Sequence, residues 1–555
     1  MPGGLLNIVA YGQQNIILNG NPSKTFFKCV YVKYTNFGLQ KFRIDFNGQR
    51  TLRLTEDSKF TFKVPRYADL LMDTYLVINL PTIWSPIYPP QGCQDEWIEY
   101  GFKWIKNLGT QMIREIHMSI GGQTIAKFSG QYLYNLVERD FSSVKKELYY
   151  KMTGNVPELN DPGNTNGNIN MYPNAYYTPT SKGPEPSIRA RKLYIPINVW
   201  FTLNSKMAFP LVALQYNELL IDVTIRPIQE LFTIRDIGNE NGIYPYVQPN
   251  FNNSLQGFYR FLQPPPDISL SFNSYTDQRT NWNADIHLIS TYAFLSDNEV
   301  KAFAANEQKY LIKDVHEYSF YNVTGSQRVI LDTLGMVSNW MWYFQRNDAN
   351  LRNEWSNYTN WPYDFLPYPP INAESSTETI SNPCTPLDPL TNIGPAYNPD
   401  GTNTGFFITP EYTPQNEKNI LRNLGILMDG KYRENVFDAG VYNYVEKYIR
   451  TTGNSQDGLY CYNFCLNTSP FEFQPSGAMN MSRFTTIELE FNTIYPVLDP
   501  SAAFYTICDP NTGTIVGVNK PSWIIYDYNF DLNVMEERYN ILTFISGNAG
   551  LEYAR

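Results

Sequence analysis

The sequence predicts an all-β protein built from antiparallel sandwiches, and three observations carry that prediction. Apolar and polar residues alternate at period two in run after run. Pro and Gly punctuate those runs. The composition suits sheets, with aromatic residues at 15% and charged residues at only 17% of 555 positions. A strand with one buried face produces period two, whereas a helix does not. Punctuated short strands imply antiparallel sheets stacked in sandwiches. So much apolar surface offsets the entropy of ordering the chain, which excludes disorder. Tyr, Thr and Pro in place of Ala, Glu, Lys and Leu exclude a long coiled coil. At roughly 200–250 residues for an all-β domain, the length fits two sandwiches.

In chain order, Lys59 to Val64 places Phe60, Phe62 and Val64 on one face. Glu115 to Ile120 does the same with Ile116, Met118 and Ile120. A third strand sets Leu219, Ile221, Val223 and Ile225 against Leu220, Asp222, Thr224 and Arg226. A fourth sets Ile487, Leu489 and Phe491 against Thr486, Glu488 and Glu490. Helical spacing is rare. Leu133, Leu136, Val137, Phe141, Val144 and Leu148 predict one amphipathic helix over about 131–150. Ser296-Asp297-Asn298-Glu299 reads as a capping box before Val300 and Phe303, a short helix connecting two halves. Gly154 to Ser187 reads as a long loop, and Trp361 to Pro414, with eleven Pro, as the core of a second.

Motifs for catalysis are missing from the sequence. It contains no G-x-S-x-G nucleophile elbow and no phosphate-binding G-x-x-x-x-G-K-[ST] loop. His316-Glu317 opens like a zinc-protease motif, but Phe320 stands where the second His belongs. His117 sits on the polar side of its strand and reads as a solvated surface residue. Cys461 and Cys465 read as small strand hydrophobes rather than half a metal site. The expectation is therefore no catalytic, cofactor-binding or metal-ligating residues. Carboxylate pairs of the glycosidase kind are spatial rather than sequential and stay open at this point. Six scattered Cys suit a reducing compartment with all thiols unpaired. The opening Met1-Pro2-Gly3-Gly4-Leu5-Leu6 lacks a basic n-region, so no signal peptide is expected. The five N-x-S/T sequons, at Asn252, Asn322, Asn357, Asn467 and Asn480, then carry no weight. A net charge of −10 argues against direct nucleic-acid binding. Low charge joined to many aromatics fits sandwich cores, or a surface that meets other subunits.

Several segments, in order, resemble the double jelly-roll major capsid proteins of the nucleocytoplasmic large DNA viruses. They include Gly3-Gly4-Leu5-Leu6, Gly20-Asn21-Pro22, Pro65-Arg66, Ile120-Gly121-Gly122-Gln123 and Pro210-Leu211-Val212-Ala213-Leu214-Gln215-Tyr216. Later come Tyr310-Leu311-Ile312, Gln474-Pro475-Ser476-Gly477 with Asn480, Ser482 and Arg483, and Tyr539-Asn540-Ile541-Leu542. The Pro475, Ser476, Gly477, Asn480, Ser482, Arg483 motif is the most specific of these. The resemblance implies two tandem eight-stranded antiparallel jelly rolls with long inserted loops and a few short helices. It divides the chain into an N-terminal arm (1–25), a first jelly roll (26–295) and a second (296–555) with an insertion at about 347–416. It further implies a homotrimeric, pseudo-hexagonal capsomer of an icosahedral shell, assembled in the host cell cytoplasm. The implied partners are neighbouring capsomers, minor capsid and penton proteins, and proteins of an internal membrane. Jelly rolls also serve lectins, so a carbohydrate-binding or glycoside-cleaving sandwich is the rival reading. Within the motif, Pro475 and Gly477 match a type I turn, with Gly477 expected at positive φ.

Overall fold

The computed structural model describes residues 6, 35–48, 51–88, 98–168, 172–175, 185–237, 246–265, 275–361, 394–397, 403–408, 417–472, 474–496, 505–508, 515–519 and 528–553. The N-terminal arm apart from Leu6, and most of the Pro-rich insertion, lie outside these residues.

Two antiparallel sandwiches follow one another along the chain. In the first, a sheet ordered Gly38–Ile44, His287–Phe294, Leu70–Leu80 and Phe209–Pro210 also pairs Arg191–Pro196 with Leu70–Leu80. Facing it is a sheet ordered Ser58–Lys63, Leu219–Ile225, Ile113–Ile120 and Gln123–Phe128. In the second sandwich one sheet runs Gln308–Phe320, Phe530–Ile545, Met336–Arg346 and Leu459–Asn463, with Met479–Asn480 and Asn548–Leu551 attached. Its partner runs Ser326–Ile330, Ile487–Thr493, Leu421–Met428 and Lys431–Asp438. Setting aside Phe209–Pro210, Met479–Asn480 and Asn548–Leu551, eight strands remain in each, the jelly-roll number.

The four period-two runs are strands whose apolar faces point inward. Phe62, Ile116, Ile221, Val223 and Leu489 are all fully buried. Burying one such side chain is worth about 1.5–3 kcal/mol, so these faces drive the two sheets together. The halves also repeat a detail. Phe209–Pro210 leads into a 3-10 turn at Leu211–Ala213 and then the Leu219–Ile225 strand. Met479–Asn480 leads likewise into Met481–Arg483 and then Ile487–Thr493.

Three local expectations are corrected. The helix over 131–150 is two helices, Gly130–Asp140 and Ser143–Thr153. Phe141 adopts extended backbone between them and packs its ring 5.0 Å from that of Phe471, which breaks the helix. Val144 and Leu148 consequently face solvent rather than continuing the apolar stripe. The 154–187 loop begins as packed structure, with short helical turns at Pro157–Asn160 and Pro162–Asn164 and Leu159 buried. The capping box does not close. The Asp297–Ala305 helix exists, yet the Ser296 side chain makes no cap, and Glu299 accepts from Thr35 Oγ1 at 2.5 Å.

Candidate assembly seam between the two sandwiches

Both faces of the Met336–Arg346 strand are buried, because its sheet serves two interiors. Trp340, Trp342 and Phe344 point into the second sandwich. Met341 and Tyr343, with Cys461 and Met535 from neighbouring strands, instead join the core of the first. Against this outer face lies the Gly130–Asp140 helix, every residue of which is buried.

At the centre of the seam is a buried polar cluster. Arg139 is fully buried and donates from Nη2 to Asp140 Oδ2 at 2.7 Å and to Glu537 Oε1 at 2.7 Å. Its Nη1 donates to Asn339 Oδ1 at 2.6 Å, and Asn339 Nδ2 returns a bond to Glu537 Oε2 at 2.8 Å. Tyr132 adds a hydroxyl bond to Glu537 Oε1 at 3.1 Å, and Lys313 Nζ stands 3.5 Å from Oε2. Asp140 is satisfied on its other oxygen by Thr468 Oγ1 at 2.5 Å. Burial alone would raise the Glu537 pKa. Arg139 and Lys313 outweigh it and hold the carboxyl down at about 2. A cluster of this kind fixes register more than it adds stability, since desolvating each ion costs several kcal/mol. At the other end of the helix, Glu317 Oε1 accepts from both Ser129 N and Ser129 Oγ at 2.9 Å, so a residue of the second sandwich holds the N-cap of a helix in the first.

A second fastening lies in the first residues of the predicted 347–416 insertion. Rather than looping out, 349–361 forms a strap across the first sandwich. Asn353 Nδ2 donates to the carbonyls of Gln229 and Phe232 at 2.8 Å each, and Trp355 Nε1 to that of Glu230 at 3.0 Å. Tyr358 donates to Asn135 Oδ1 at 2.8 Å. Asp348 anchors the start between Arg346 and Arg352. Burial opposes ionisation there, but the two guanidiniums keep the carboxyl far below its usual range.

The six motif residues sit at one edge of this seam. No hydrogen-bonded turn forms over 474–477, where the sequence predicts a type I turn, because Ser476 is occupied with the chain at 467. Its Oγ accepts from Asn467 N and donates to Asn467 O, both at 3.0 Å, while its carbonyl accepts from Leu466 N at 3.3 Å. Pro475 is buried and Gly477 has φ +138°. Asn480 pairs with Met336, and its Oδ1 caps the next turn by accepting from Ser482 N at 3.2 Å. Ser482 Oγ accepts from Gly335 N at 2.9 Å. Arg483 is exposed and stands apart from these contacts.

Of the candidates for chemistry, His117 is partly exposed and hydrogen-bonds Thr124 Oγ1 at 2.9 Å. His316 pairs with Asp314 at 3.1 Å, and His287 is buried against the Asp285 carbonyl. Cys461 and Cys465 are free and buried, and burial pushes the Cys461 thiol up to about 11. Among the described residues no His, Cys, Asp and Glu cluster has the makings of a metal site.

Two jelly rolls in tandem, joined by a buried seam and a strap, define a double jelly-roll protein. Residues 25–250 match the family described as major capsid protein N-terminus, and 299–550 match the large eukaryotic DNA virus major capsid protein. The chain belongs to this major capsid protein family of large DNA viruses and builds the icosahedral capsid. It is 26% identical to the major capsid protein of Phaeocystis pouchetii virus and 24% identical to that of Paramecium bursaria Chlorella virus 1, with 100% of both chains covered in each case. Among solved structures, its fold is similar to the Faustovirus major capsid protein, with TM-score 0.59, 12% identity and coverage of 94% and 93% of the two chains. It is also similar to the chain in the PBCV-1 virus capsid, with TM-score 0.57, 19% identity and coverage of 96% and 100%.

Proposed function

We propose that three copies of the chain close into a pseudo-hexagonal capsomer, the tile of the shell. The observation that carries this reading is the seam. Two sandwiches held rigidly by Arg139, Glu537 and the 349–361 strap give each copy two comparable walls, so three copies present six. The first wall corresponds to residues 26–295 and the second to 296–555, with 1–25 as an arm. A closed ring of this type needs heterologous contacts whose rotation returns to the start.

Within the shell, neighbouring capsomers are the main partners, with minor capsid and penton proteins at the special positions. Proteins of an internal membrane would lie beneath, and assembly takes place in the host cell cytoplasm. The role is mechanical, without catalytic turnover, cofactor or direct nucleic-acid contact. Many weak symmetric contacts add up to a stable shell.

The test is the mass of the purified protein in solution, by light scattering coupled to size exclusion. The expected value is three times 64.1 kDa. A stable monomer at micromolar concentration would refute the trimer.

A further inference from the structure

One group of nucleophilic and titratable side chains has no part in the seam network. Lys146, on the Ser143–Thr153 helix, is buried, and its Nζ lies 2.9 Å from Glu138 Oε2 and 2.8 Å from Asn454 Oδ1. Glu138 is equally buried and is oriented through its other oxygen by the Tyr150 hydroxyl. Asn454 belongs to the second sandwich, 308 residues away, and is exposed. The segment carrying it is clamped to the end of the Gly130–Asp140 helix. Gly453 N donates to Arg139 O at 2.8 Å, and Thr452 Oγ1 donates to Asp140 O. A Cβ at position 453 would stand 2.4 Å from Arg139 O, so only glycine permits the approach.

The Lys146 amine thus touches a buried carboxylate on one side and the exposed carboxamide of Asn454 on the other. We propose that Lys146 and Asn454 form an intramolecular isopeptide bond, with Glu138 as the proton-transferring group. Glu138 takes a proton from the Lys146 ammonium, and the free amine attacks Cγ of Asn454. The Nζ–Cγ bond forms while the Cγ–Nδ2 bond breaks. Glu138 returns that proton to the departing nitrogen and takes up the second proton that Nζ sheds as the amide forms; the nitrogen leaves with both, as ammonium, through the exposed side of Asn454. Nothing is oxidised or reduced, and no co-reactant is consumed.

Fixed contact replaces a bimolecular encounter, which removes part of the barrier to amide exchange between side chains. Burial lowers the Lys146 pKa, against the opposing pull of Glu138, and this increases the supply of free amine. The molecule carries its own comparison. Lys447 Nζ lies 2.9 Å from Asn443 Oδ1 and is also buried, but among the described residues no carboxylate bonds that lysine. The Lys447–Asn443 pair therefore stays unreacted. The bond at Lys146 would tie the two sandwiches covalently, restricting the unfolded chain most because the closed loop is long.

The experiment is intact mass and peptide mapping of the full-length protein after folding. The expected result is a mass lower by one ammonia and a branched peptide joining Lys146 to Asn454, with Lys447 and Asn443 in linear peptides. Succinimide formation at an Asn-Gly step loses the same mass, so the branched peptide is the deciding signal. An unmodified mass, or a loss mapped elsewhere, overturns the proposal. Glu138→Gln and Lys146→Arg should each restore the full mass, with circular dichroism confirming the fold. A branched peptide persisting in Glu138→Gln would overturn the role given to Glu138.

Discussion

The interior of each sandwich and the seam between them are both buried, yet they are made of opposite materials. The Leu219–Ile225 strand presents an unbroken aliphatic face inward, and the Ile487–Thr493 strand points Ile487, Leu489 and Phe491 inward. The seam buries Arg139, Asp140 and Glu537 instead, with Lys313 at its edge. Hydrocarbon packing is tolerant of exchange among side chains of similar volume. A buried ion network is not, because every member must find its partner. The interiors therefore hold each jelly roll together, while the seam dictates how one sits against the other.

The sharpest way to break this contrast is Arg139→Met. It leaves Asp140 and Glu537 buried without their guanidinium and should cost about 3–5 kcal/mol in urea unfolding. Adding Glu537→Gln should recover part of the loss, since the second change removes an uncompensated charge. Next in size is Leu489→Ala, a plain cavity in the second sandwich, expected to cost about 2–5 kcal/mol. The two should differ in kind. The cavity variant should keep the relative placement of the sandwiches, whereas the seam variant should expose residues 129–140 to hydrogen exchange. Equal protection of that helix in both variants would undo the distinction.

The same contrast explains what can be read from the sequence. Phe60, Phe62, Ile116, Met118 and Ile221 declare their faces through neighbours two positions away, so those strands are legible. Glu537 and Arg139 are 398 residues apart, and no local period connects them. One trace is available. Met535-Glu536-Glu537-Arg538 places three charges in the middle of a 16-residue strand, which a solvated edge would not need. The single helix expected over 131–150 fails for a related reason. Its spacing is helical throughout, but Asp140 and Phe141 answer to Thr468 and Phe471, which lie far along the chain. The 349–361 strap is hidden because its anchors are Asn and Trp side chains bonding backbone carbonyls, and those leave no periodic signature. The motif at 475–483 stands out through resemblance, but its local sequence misleads about the turn because Ser476 is bonded to Asn467 instead.

Acid should separate the two materials as well. Glu537 has a folded pKa of about 2, depressed below an unfolded value near ~4.3. A depressed carboxyl contributes stability that is present above the unfolded pKa and lost as pH falls through the folded one. The window is therefore about pH 4 down to 2, and the loss is on the order of 3 kcal/mol. Asp348 is shifted in the same direction and adds to the same limb. Glu537→Gln should start less stable at pH 7 and show a flatter acid limb in thermal melts. An identical slope to the wild type would mean the carboxylate is not ionised in the folded seam.

The smallest expected effect tests whether the motif at the edge of the seam is built as tightly as its centre. Gly477 has φ +138°, where side-chain-bearing residues pay about 1–2 kcal/mol or more. A Cβ there would also stand 3.1 Å from Phe464 O and 3.3 Å from Cys465 Cα, so the neighbouring chain would have to yield. That chain has little freedom, because Ser476 is bonded to Asn467 through both donor and acceptor. Gly122 provides the reference, with φ +83° and nothing within 4 Å of an added methyl. Gly122→Ala reports the backbone cost alone, while Gly477→Ala adds the crowding. The expected order of melting temperatures is wild type, then Gly122→Ala, then Gly477→Ala, then Gly477→Val, whose branched side chain fits positive φ worst. If Gly477→Ala and Gly477→Val melt with the wild type, the 464–477 contact has slack, and the edge of the seam is looser than its ionic centre.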